Sequence, residues 1–247
     1  MLIERALSRR GPVSIGRRLG IPASTVGRIL TRRGMPLLRE CDPVTGVVIR
    51  VSRRSAERYE LPYPGALLHM DSKKIGRIPD GGGWRAHGRS EEVRGRGIGY
   101  DHLHTAIDDH SRLTFIDRFD DAKGSTAAEF LRRAITFYAR HGIRIEAIIT
   151  DNAFAYRHSR EFREVCAQHG IQQRFIKPHC PWTNGKVERL NRTLANEWAY
   201  SRVWTSNTER AAALPRWLDY YNLDRPHLGI GGQRPIDRVN KAAGQYT

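Results

Sequence analysis

The sequence lacks any apolar run long enough to cross a membrane. No stretch of about 18 or more apolar residues occurs in the 247 residues, and the N-terminus has no apolar signal-peptide core. Both absences argue against a membrane partner and against export. We therefore expect a cytoplasmic protein.

The sequence is also poor in cysteine, with only Cys41, Cys166 and Cys180. An odd number without paired spacing argues against a disulfide framework. Cys166, His169, His179 and Cys180 form a C-x2-H-x9-H-C pattern. That spacing misses the usual pairs of zinc ligands, and adjacent His179 and Cys180 are poorly placed to chelate one ion tetrahedrally. Reduced structural thiols are the better interpretation.

Acidic side chains are the minority among the charged residues. The chain has 26 Asp+Glu against 42 Lys+Arg, a formal net charge of +16. Such an excess indicates a polyanionic partner, and without a membrane role that partner is nucleic acid. With 39% hydrophobic residues, the chain is too apolar for a disordered basic tail. Its length allows one substantial core and a small extra domain.

Residues 1–35 have the pattern of a helix-turn-helix. Val13–Leu19 can form one helix that stops at Gly20, and Pro22 opens a second helix rich in Ser, Thr and Arg. In that motif the second helix enters the major groove of DNA. The alternative is a helical hairpin with a solvated basic face, which the 13 Arg against five acidic residues of positions 1–60 disfavour. The candidate DNA contacts on the second helix are Ser24, Thr25, Arg28 and Arg32.

The remaining chain divides by pattern into a linker, a core and a tail. Residues 36–64 contain four prolines and read as a linker. Residues 65–200 run as three strands, helix, strand, helix, strand and helix, which predicts an α/β fold with a mixed sheet flanked by helices. Within them, the Gly- and Arg-rich stretch 74–102 is expected to be a loop beside DNA. Residues 201–247 read as a helical tail.

Three carboxylates occupy related places in the core. Two short apolar strands are expected to end on Asp71 and Asp151. A helix with Thr183 or Asn184 as its N-cap carries Glu188 at the edge of an apolar stripe. Taken alone, Glu188 is best read as a solvated side chain paired with Arg192. The two strand-terminal aspartates favour a shared site instead.

Other acidic residues compete for this role. Asp108 and Asp109 lie in a turn between two strands, where aspartate is favoured for local hydrogen bonding. Glu197 lies two turns or more beyond the start of the helix that carries Glu188. We therefore keep Asp71, Asp151 and Glu188 as the triad.

Four blocks of the sequence carry a family resemblance: HMDSKKIGRIPDGGG, IITDNAFAY, PWTNGKVERLNRTL and YNLDRPH. Together they resemble the integrase-core transposases of bacterial insertion sequences with a D, D, E triad, most closely the IS481-like group. The resemblance implies an RNase H-like integrase core with a mixed five-stranded sheet. It also implies that Asp71, Asp151 and Glu188 are the catalytic triad.

The sequence departs from the family pattern in two places. Ala153 stands where the family commonly has glycine, which is expected to stiffen the backbone next to Asp151. Family members also usually carry a longer N-terminal DNA-binding region, often with two helix-turn-helix units. Residues 1–35 are therefore expected to be a shortened form of that region.

A carboxylate triad in a basic protein indicates divalent metal chemistry. Unpaired carboxylates repel one another, and their hard oxygens suit Mg2+ or Mn2+. Two such ions can assist in-line displacement at a phosphodiester, which makes the three residues metal ligands rather than general bases. Basic residues near the triad are then candidates for holding DNA phosphates. These are Lys73, Lys74, Lys186, Arg189 and Arg192, each of which has a solvated surface charge as its alternative.

The expected function is that of an insertion-sequence transposase that cleaves 3′ ends and joins them to target DNA. Its partners would be element terminal repeats, target DNA and further copies of itself in a synaptic complex, all within a bacterial cytoplasm. Two alternatives stay open. One is an impaired DNA-binding fragment that occupies the element ends, and the other is an RNase H-like nuclease without strand transfer.

Overall fold

A computed structural model describes residues 1–8, 10–38, 41, 48, 60–88, 97–176 and 184–243. They separate into two compact units, one N-terminal and one that begins at Glu60. Most of the expected linker, residues 36–64, lies outside the described residues, as do His179, Cys180 and Thr183. No helix in the described ranges has the length and apolar character that crossing a bilayer requires.

The N-terminal unit is a small helical cluster. Its three helices are α1 (Leu2–Ser8), α2 (Pro12–Leu19) and α3 (Ala23–Arg32), which confirms both helices of the predicted pair. Their core is formed by Ile15, Val26 and Leu30. A Cβ on Gly16 would lie 2.4 Å from the Ile21 carbonyl oxygen, so only glycine lets the turn pack this closely on α2.

Five strands form the sheet of the larger unit, in the order β3-β2-β1-β4-β5. Their bounds are β1 Leu68–Gly76, β2 Tyr100–Asp108, β3 Thr114–Phe119, β4 Ala147–Thr150 and β5 Gln172–Phe175. β1, β2 and β3 pair antiparallel, while β4 pairs parallel with both β1 and β5. The predicted mixed five-stranded sheet is confirmed.

The expectation that the first strand ends on Asp71 is wrong. β1 continues to Gly76 and pairs with the whole of β2, so Asp71 lies in the middle of a strand. Lys73 and Lys74 are exposed, and backbone pairing with β2 together with the buried Ile75 holds this half of β1. The stretch 74–102, expected to be a loop, therefore starts within β1 and ends within β2; its residues 89–96 lie outside the described ranges.

Helices cover both faces of the sheet. They are α4 (Trp84–His87), α5 (Gly124–Arg140), α6 (Phe154–Arg157), α7 (Arg160–Gln168), α8 (Gly185–Leu194), α9 (Asn207–Ala212), α10 (Leu214–Asp219) and α11 (Pro235–Ala243). On one face α5 and α7 pack around Met70, Phe130 and Phe162. On the other face the predicted apolar stripe of α8 is buried. That stripe consists of Val187, Leu190, Leu194 and Trp198.

The C-terminal segment packs against the sheet unit. Its side chains Trp204, Leu214 and Trp217 join the apolar cluster of α8. Asn222 holds the edge strand β3, because its Oδ1 accepts a bond of 2.9 Å from the Thr114 N–H and its Nδ2 donates one of 2.8 Å to the Thr114 oxygen. These bonds satisfy the outward groups that an edge strand leaves unpaired.

Replacing Asn222 with leucine should destabilise the fold by about 2–4 kcal/mol, because two buried backbone groups of Thr114 would lose their partners. Urea denaturation monitored by tryptophan fluorescence measures this change. Asn240→Leu, on the exposed face of α11, is the matched control and should change stability little. Equal midpoints for the two variants would show that Asn222 does not hold β3.

Candidate active site

The strand register brings Asp71 and Asp151 side by side. Parallel pairing aligns Leu68 with Ile148 and His69 with Ile149. The same offset, carried two residues further, sets Asp71 level with Asp151. Neighbouring strands lie about 4.8 Å apart, so the half-buried Asp71 in mid-strand faces the residue that directly follows β4.

Helix α8 brings Glu188 to the same face of the sheet. Asn191 Nδ2 donates a bond of 2.7 Å to Asp71 Oδ2. Asn191 lies three positions after Glu188, so both side chains project from one side of the helix. In the described part of the chain no ion pair joins Glu188 to Arg192, the pairing expected if Glu188 were an ordinary surface residue.

Burial and neighbouring charges perturb the carboxyl group of Asp71. Burial raises the pKa of Asp71 to about 6, and the neighbouring Asp151 and Glu188 charges add to the rise, against a bond from the Ser72 N–H. Burial, together with the Asp71 and Asp151 charges, also raises the pKa of Tyr156. Asp71 and Tyr156 therefore both lie close to Asp151.

Asp151 has its own local support. The Ala153 N–H donates a bond of 2.9 Å to Asp151 Oδ1. Ala153 has a φ of −59°, which any L-residue adopts without strain. The alanine in place of the family's glycine therefore leaves the backbone beside Asp151 unstrained.

The three carboxylates match the donor chemistry of a divalent cation. Across the described residues, no lysine or arginine forms an ion pair with Asp71, Asp151 or Glu188, and Lys73 lowers the pKa of Asp71 only from a distance. Their oxygens are hard ligands of the kind Mg2+ prefers. They are not drawn together into a ligand cluster: within the described ranges, no three His, Cys, Asp or Glu side chains are placed to hold a metal ion.

Comparison with known families identifies this region. Residues 62–181 match a family model described as "Integrase core domain", and residues 169–235 match a second model with the same description. Over residues 62–235 the chain is therefore similar to integrase core domains. The two matches together include all three carboxylates, both strands that carry the aspartates, and α8.

Known proteins similar to the chain agree with that assignment. It is 39% identical over 56 residues to a retrovirus-related Pol polyprotein from transposon TNT 1-94 of Nicotiana tabacum. The match covers 23% of this chain and 4% of that protein, so the chain spans only a small part of the length of this curated relative.

Solved integrase structures share the fold. A chain of the simian T-cell lymphotropic virus intasome, in complex with PP2A regulatory subunit B56 gamma, has a TM-score of 0.55 and 18% identity, covering 95% of this chain and 72% of that one. The BIV integrase catalytic core has a TM-score of 0.50 and 18% identity, and the match covers 74% of this chain and 99% of that core. The HTLV-2 integrase catalytic core, in complex with magnesium, also has a TM-score of 0.50 and 18% identity, covering 72% and 97%. The fold is therefore the RNase H-like fold of retroviral integrase cores.

A buried polar cluster fixes α8 on the integrase core. Asp109 Oδ1 accepts a bond of 2.8 Å from His69 Nε2 and a short contact from Lys186 Nζ, while Oδ2 accepts from the Leu61 N–H at 2.7 Å. We call His69, Asp109, Asn184 and Lys186 the helix clamp. Burial alone would raise the pKa of Asp109, but the bonds from His69 and Lys186 hold it well below its usual range.

Asn184 completes the helix clamp in an unexpected way. It occupies the N-cap position of α8, yet its side chain makes no capping bond. Its Oδ1 instead lies 3.0 Å from His69 Nδ1, and its Nδ2 donates a bond of 3.1 Å to the Met70 oxygen. The predicted N-cap side chain therefore joins the start of α8 to β1.

The two aspartates of the turn have different roles. Asp108 Oδ2 accepts bonds from the Ser111 N–H and hydroxyl at 2.6 and 2.7 Å, the local bonding expected of a turn aspartate, while its Oδ1 accepts a bond of 2.7 Å from the Gly65 N–H. Asp109 instead bonds distant residues of β1 and α8. Adjacent side chains at a strand end point in opposite directions. This alternation indicates that only one of Asp108 and Asp109 can bond the backbone of the turn.

The predicted DNA contacts lie in different settings. Lys73 and Lys74 are exposed on β1, and Arg189 and Arg192 are exposed on α8. Lys186 is 17% exposed and bonded to Asp109, so its charge serves the helix clamp; its role as a phosphate ligand stays a prediction. In the N-terminal unit all four predicted contacts are on α3 and none is buried. They are Ser24, Thr25, Arg28 and Arg32.

Substituting Asp109 with asparagine should destabilise the protein by about 3–5 kcal/mol at neutral pH, because Lys186 would keep a half-buried charge without its counter-charge. A lowered pKa means that this contribution is present above about pH 4, the unfolded value, and is lost only as the pH falls through the folded value. Urea titrations at pH 7, 5 and 3 measure the difference.

The double variant Asp109→Asn/Lys186→Met should recover part of the loss, since no charge would remain unpaired. Glu164→Gln, which removes the exposed ion pair with Arg160, is the control and should change little. A gap between Asp109→Asn and the unmodified protein that widened in acid would contradict the assignment.

Proposed function

We propose that this chain is a DNA transposase that cleaves a 3′ end and joins it to target DNA. The observation that carries the proposal is the register of Asp71 with Asp151, beneath a helix that brings Glu188 to the same face. Catalytic and metal-binding roles are assigned to these three residues. The IS481-like blocks described above support an insertion-sequence enzyme rather than another integrase-core protein.

Asp71, Asp151 and Glu188 would hold two Mg2+ or Mn2+ ions. When bound, these ions would polarise the scissile phosphate and lower the pKa of the attacking water or 3′-hydroxyl. The magnesium complex of the HTLV-2 integrase core supports this choice of metal. Asn191 orients the Asp71 carboxylate, and the helix clamp sets the position of Glu188 along β1.

DNA as partner is supported by the net charge of +16 and by the exposed cations around the triad. Arg189 and Arg192 flank Glu188 on α8 and would hold phosphates close to the carboxylates, with Lys73 and Lys74 extending this surface along β1. Ser24, Thr25, Arg28 and Arg32 on α3 would contact the terminal repeat.

Further copies of the chain are proposed as partners. An intasome and a dimeric integrase core are among the structures that share this fold. A synaptic complex joins two DNA ends, so at least two catalytic units are needed. The division into a DNA-binding segment 1–35, a linker 36–64, a core 65–200 and a tail 201–247 belongs to this proposal, as does action in the bacterial cytoplasm.

The activity should appear as metal-dependent joining of DNA from the ends of the element to a plasmid target. Asp151→Asn and Glu188→Gln should each reduce joining more than about 100-fold, beyond the roughly 10–100-fold typical when only an outer-shell partner is lost. Asp219→Asn, an exposed carboxylate on α10, is the matched control and should join normally. Gel analysis of joined products in Mg2+ and Mn2+ measures the reaction.

Other results of this assay identify the alternatives. Nicking without joining would make the chain a nuclease. DNA binding that weakens with salt, with neither nicking nor joining, would make it a binding protein without this chemistry.

Metal binding can be measured apart from activity. Mg2+ or Ca2+ should raise the thermal midpoint of the unmodified protein, because a ligand of the native state stabilises it by mass action. Asp71→Asn and Asp151→Asn should abolish most of that shift, while Asp219→Asn should retain it. A shift of equal size in all four proteins would place the metal elsewhere.

A further inference from the structure

An aromatic and cationic cavity lies beyond the carboxylates, at the far end of β1. It has a volume of about 420 Å3 and opens to solvent. Among the described residues that line it there is no aspartate or glutamate. The side chains that shape it are Arg77, Trp84, Arg85, Tyr100, Tyr200 and Trp204; we call it the aromatic pocket.

Aromatic rings in the pocket are exposed and stacked with cations. Trp84 is 46%, Tyr100 51% and Tyr200 45% exposed. The Arg85 guanidinium carbon lies 4.6 Å from the Trp84 ring centroid and 4.7 Å from that of Tyr200. Lys74 Nζ lies 3.9 Å from the Tyr100 ring. A cluster of solvent-exposed aromatic rings indicates a binding surface, because such apolar rings stabilise a protein more when they are buried in its core.

Hydrogen bonds connect the elements at the base of the pocket. Arg210 is 1% exposed and donates a bond of 2.8 Å to the Gly76 oxygen. The Asn207 N–H bonds the Ile78 oxygen at 3.1 Å, and the Arg77 N–H bonds the Gly99 oxygen at 3.1 Å. These bonds hold the end of β1, the start of β2 and α9 together beneath the exposed rings.

Two elements lead from the carboxylates to the pocket. Gly76 lies five positions after Asp71 on β1, about 17 Å at the usual rise of a strand. Tyr200 lies twelve positions after Glu188, at the end of α8 and of the π-helical turn Ala195–Ala199 that continues it. This separation is about 18 Å at helical rise. The pocket therefore lies about five nucleotides from the triad, at about 3.4 Å per nucleotide.

We propose that the aromatic pocket binds an unpaired base of the DNA strand whose backbone passes the triad. Stacked rings bind any base through its π-face, and flanking cations hold the neighbouring phosphates. The cavity is large enough for a base, and its lack of acidic lining among the described residues suits a polyanion. The inference rests on the proposed function in taking DNA as the partner, and extends it with a subsite for single-stranded DNA.

The test compares two single strands of equal charge in EDTA, where no cleavage occurs. One is oligothymidine of about 16 nucleotides, and the other is an abasic strand of the same length. The unmodified protein should bind oligothymidine about tenfold more tightly, in the range for stacking one base on an aromatic side chain. Trp84→Ala and Tyr200→Ala should lose that preference, and Tyr200→Phe should retain it because the ring remains.

Tyr220→Ala provides the matched control, since Tyr220 is also 45% exposed but is not among the residues that line the pocket. It should keep the tenfold preference. Unchanged thermal midpoints would show that the exposed truncations leave the fold intact. Equal affinity of the unmodified protein for both strands, or an equal loss in Tyr220→Ala, would overturn the inference.

The outcomes separate this inference from the proposed function. Metal-dependent joining by a protein that does not distinguish thymidine from abasic strands would overturn the pocket alone. Base-dependent binding without joining would support the pocket and contradict the transposase. No binding to either strand or to duplex DNA would overturn both.

Discussion

The buried contact of Asp109 with His69 and Lys186 is the constraint on which the site depends. Helix α8 carries Glu188, yet apolar packing alone allows a helix to slide along a sheet. Directed polar bonds do not, because a buried charge that loses its partner is strongly destabilising. His69 precedes Asp71 by two residues on the same face of β1, and Lys186 precedes Glu188 by two on α8. The helix clamp therefore sets the positions of two triad members together.

The three carboxylates proposed as the triad differ from Asp109 in their charge environment. Asp71, Asp151 and Glu188 are brought close by strand register and by α8, but within the described part of the chain none of them forms an ion pair with a lysine or arginine. Burial raises the pKa of Asp71 to about 6, and the nearby Asp151 and Glu188 charges add to that rise. Asp109, in contrast, is paired with His69 and Lys186, and these bonds lower its pKa. A paired carboxylate therefore holds the helix, whereas the carboxylates without an ion pair are the ones proposed as metal ligands.

The sequence predicted most of the elements because their signals were local. The apolar stripe of α8, the hairpin between β2 and β3 and the helix over Gly124–Arg140 all follow from periodicity and turn residues. The extension of β1 past Asp71 was missed, because Ser72, Lys73 and Lys74 show no burial pattern. Pairing with β2 makes this segment a strand, and a partner that begins at Tyr100 cannot be read from residues 71–76 alone.

The sequence by itself determined the basic character of the chain, the order of its elements and, through its resemblance to a family, the three carboxylates. Only the tertiary structure decided that Asp71 and Asp151 are level in neighbouring strands, that Asn184 bonds β1 instead of capping its helix, and that Asp109 holds Lys186. Each depends on register between residues far apart in the chain. Periodicity fixes which face a side chain occupies, but only packing fixes what lies opposite it.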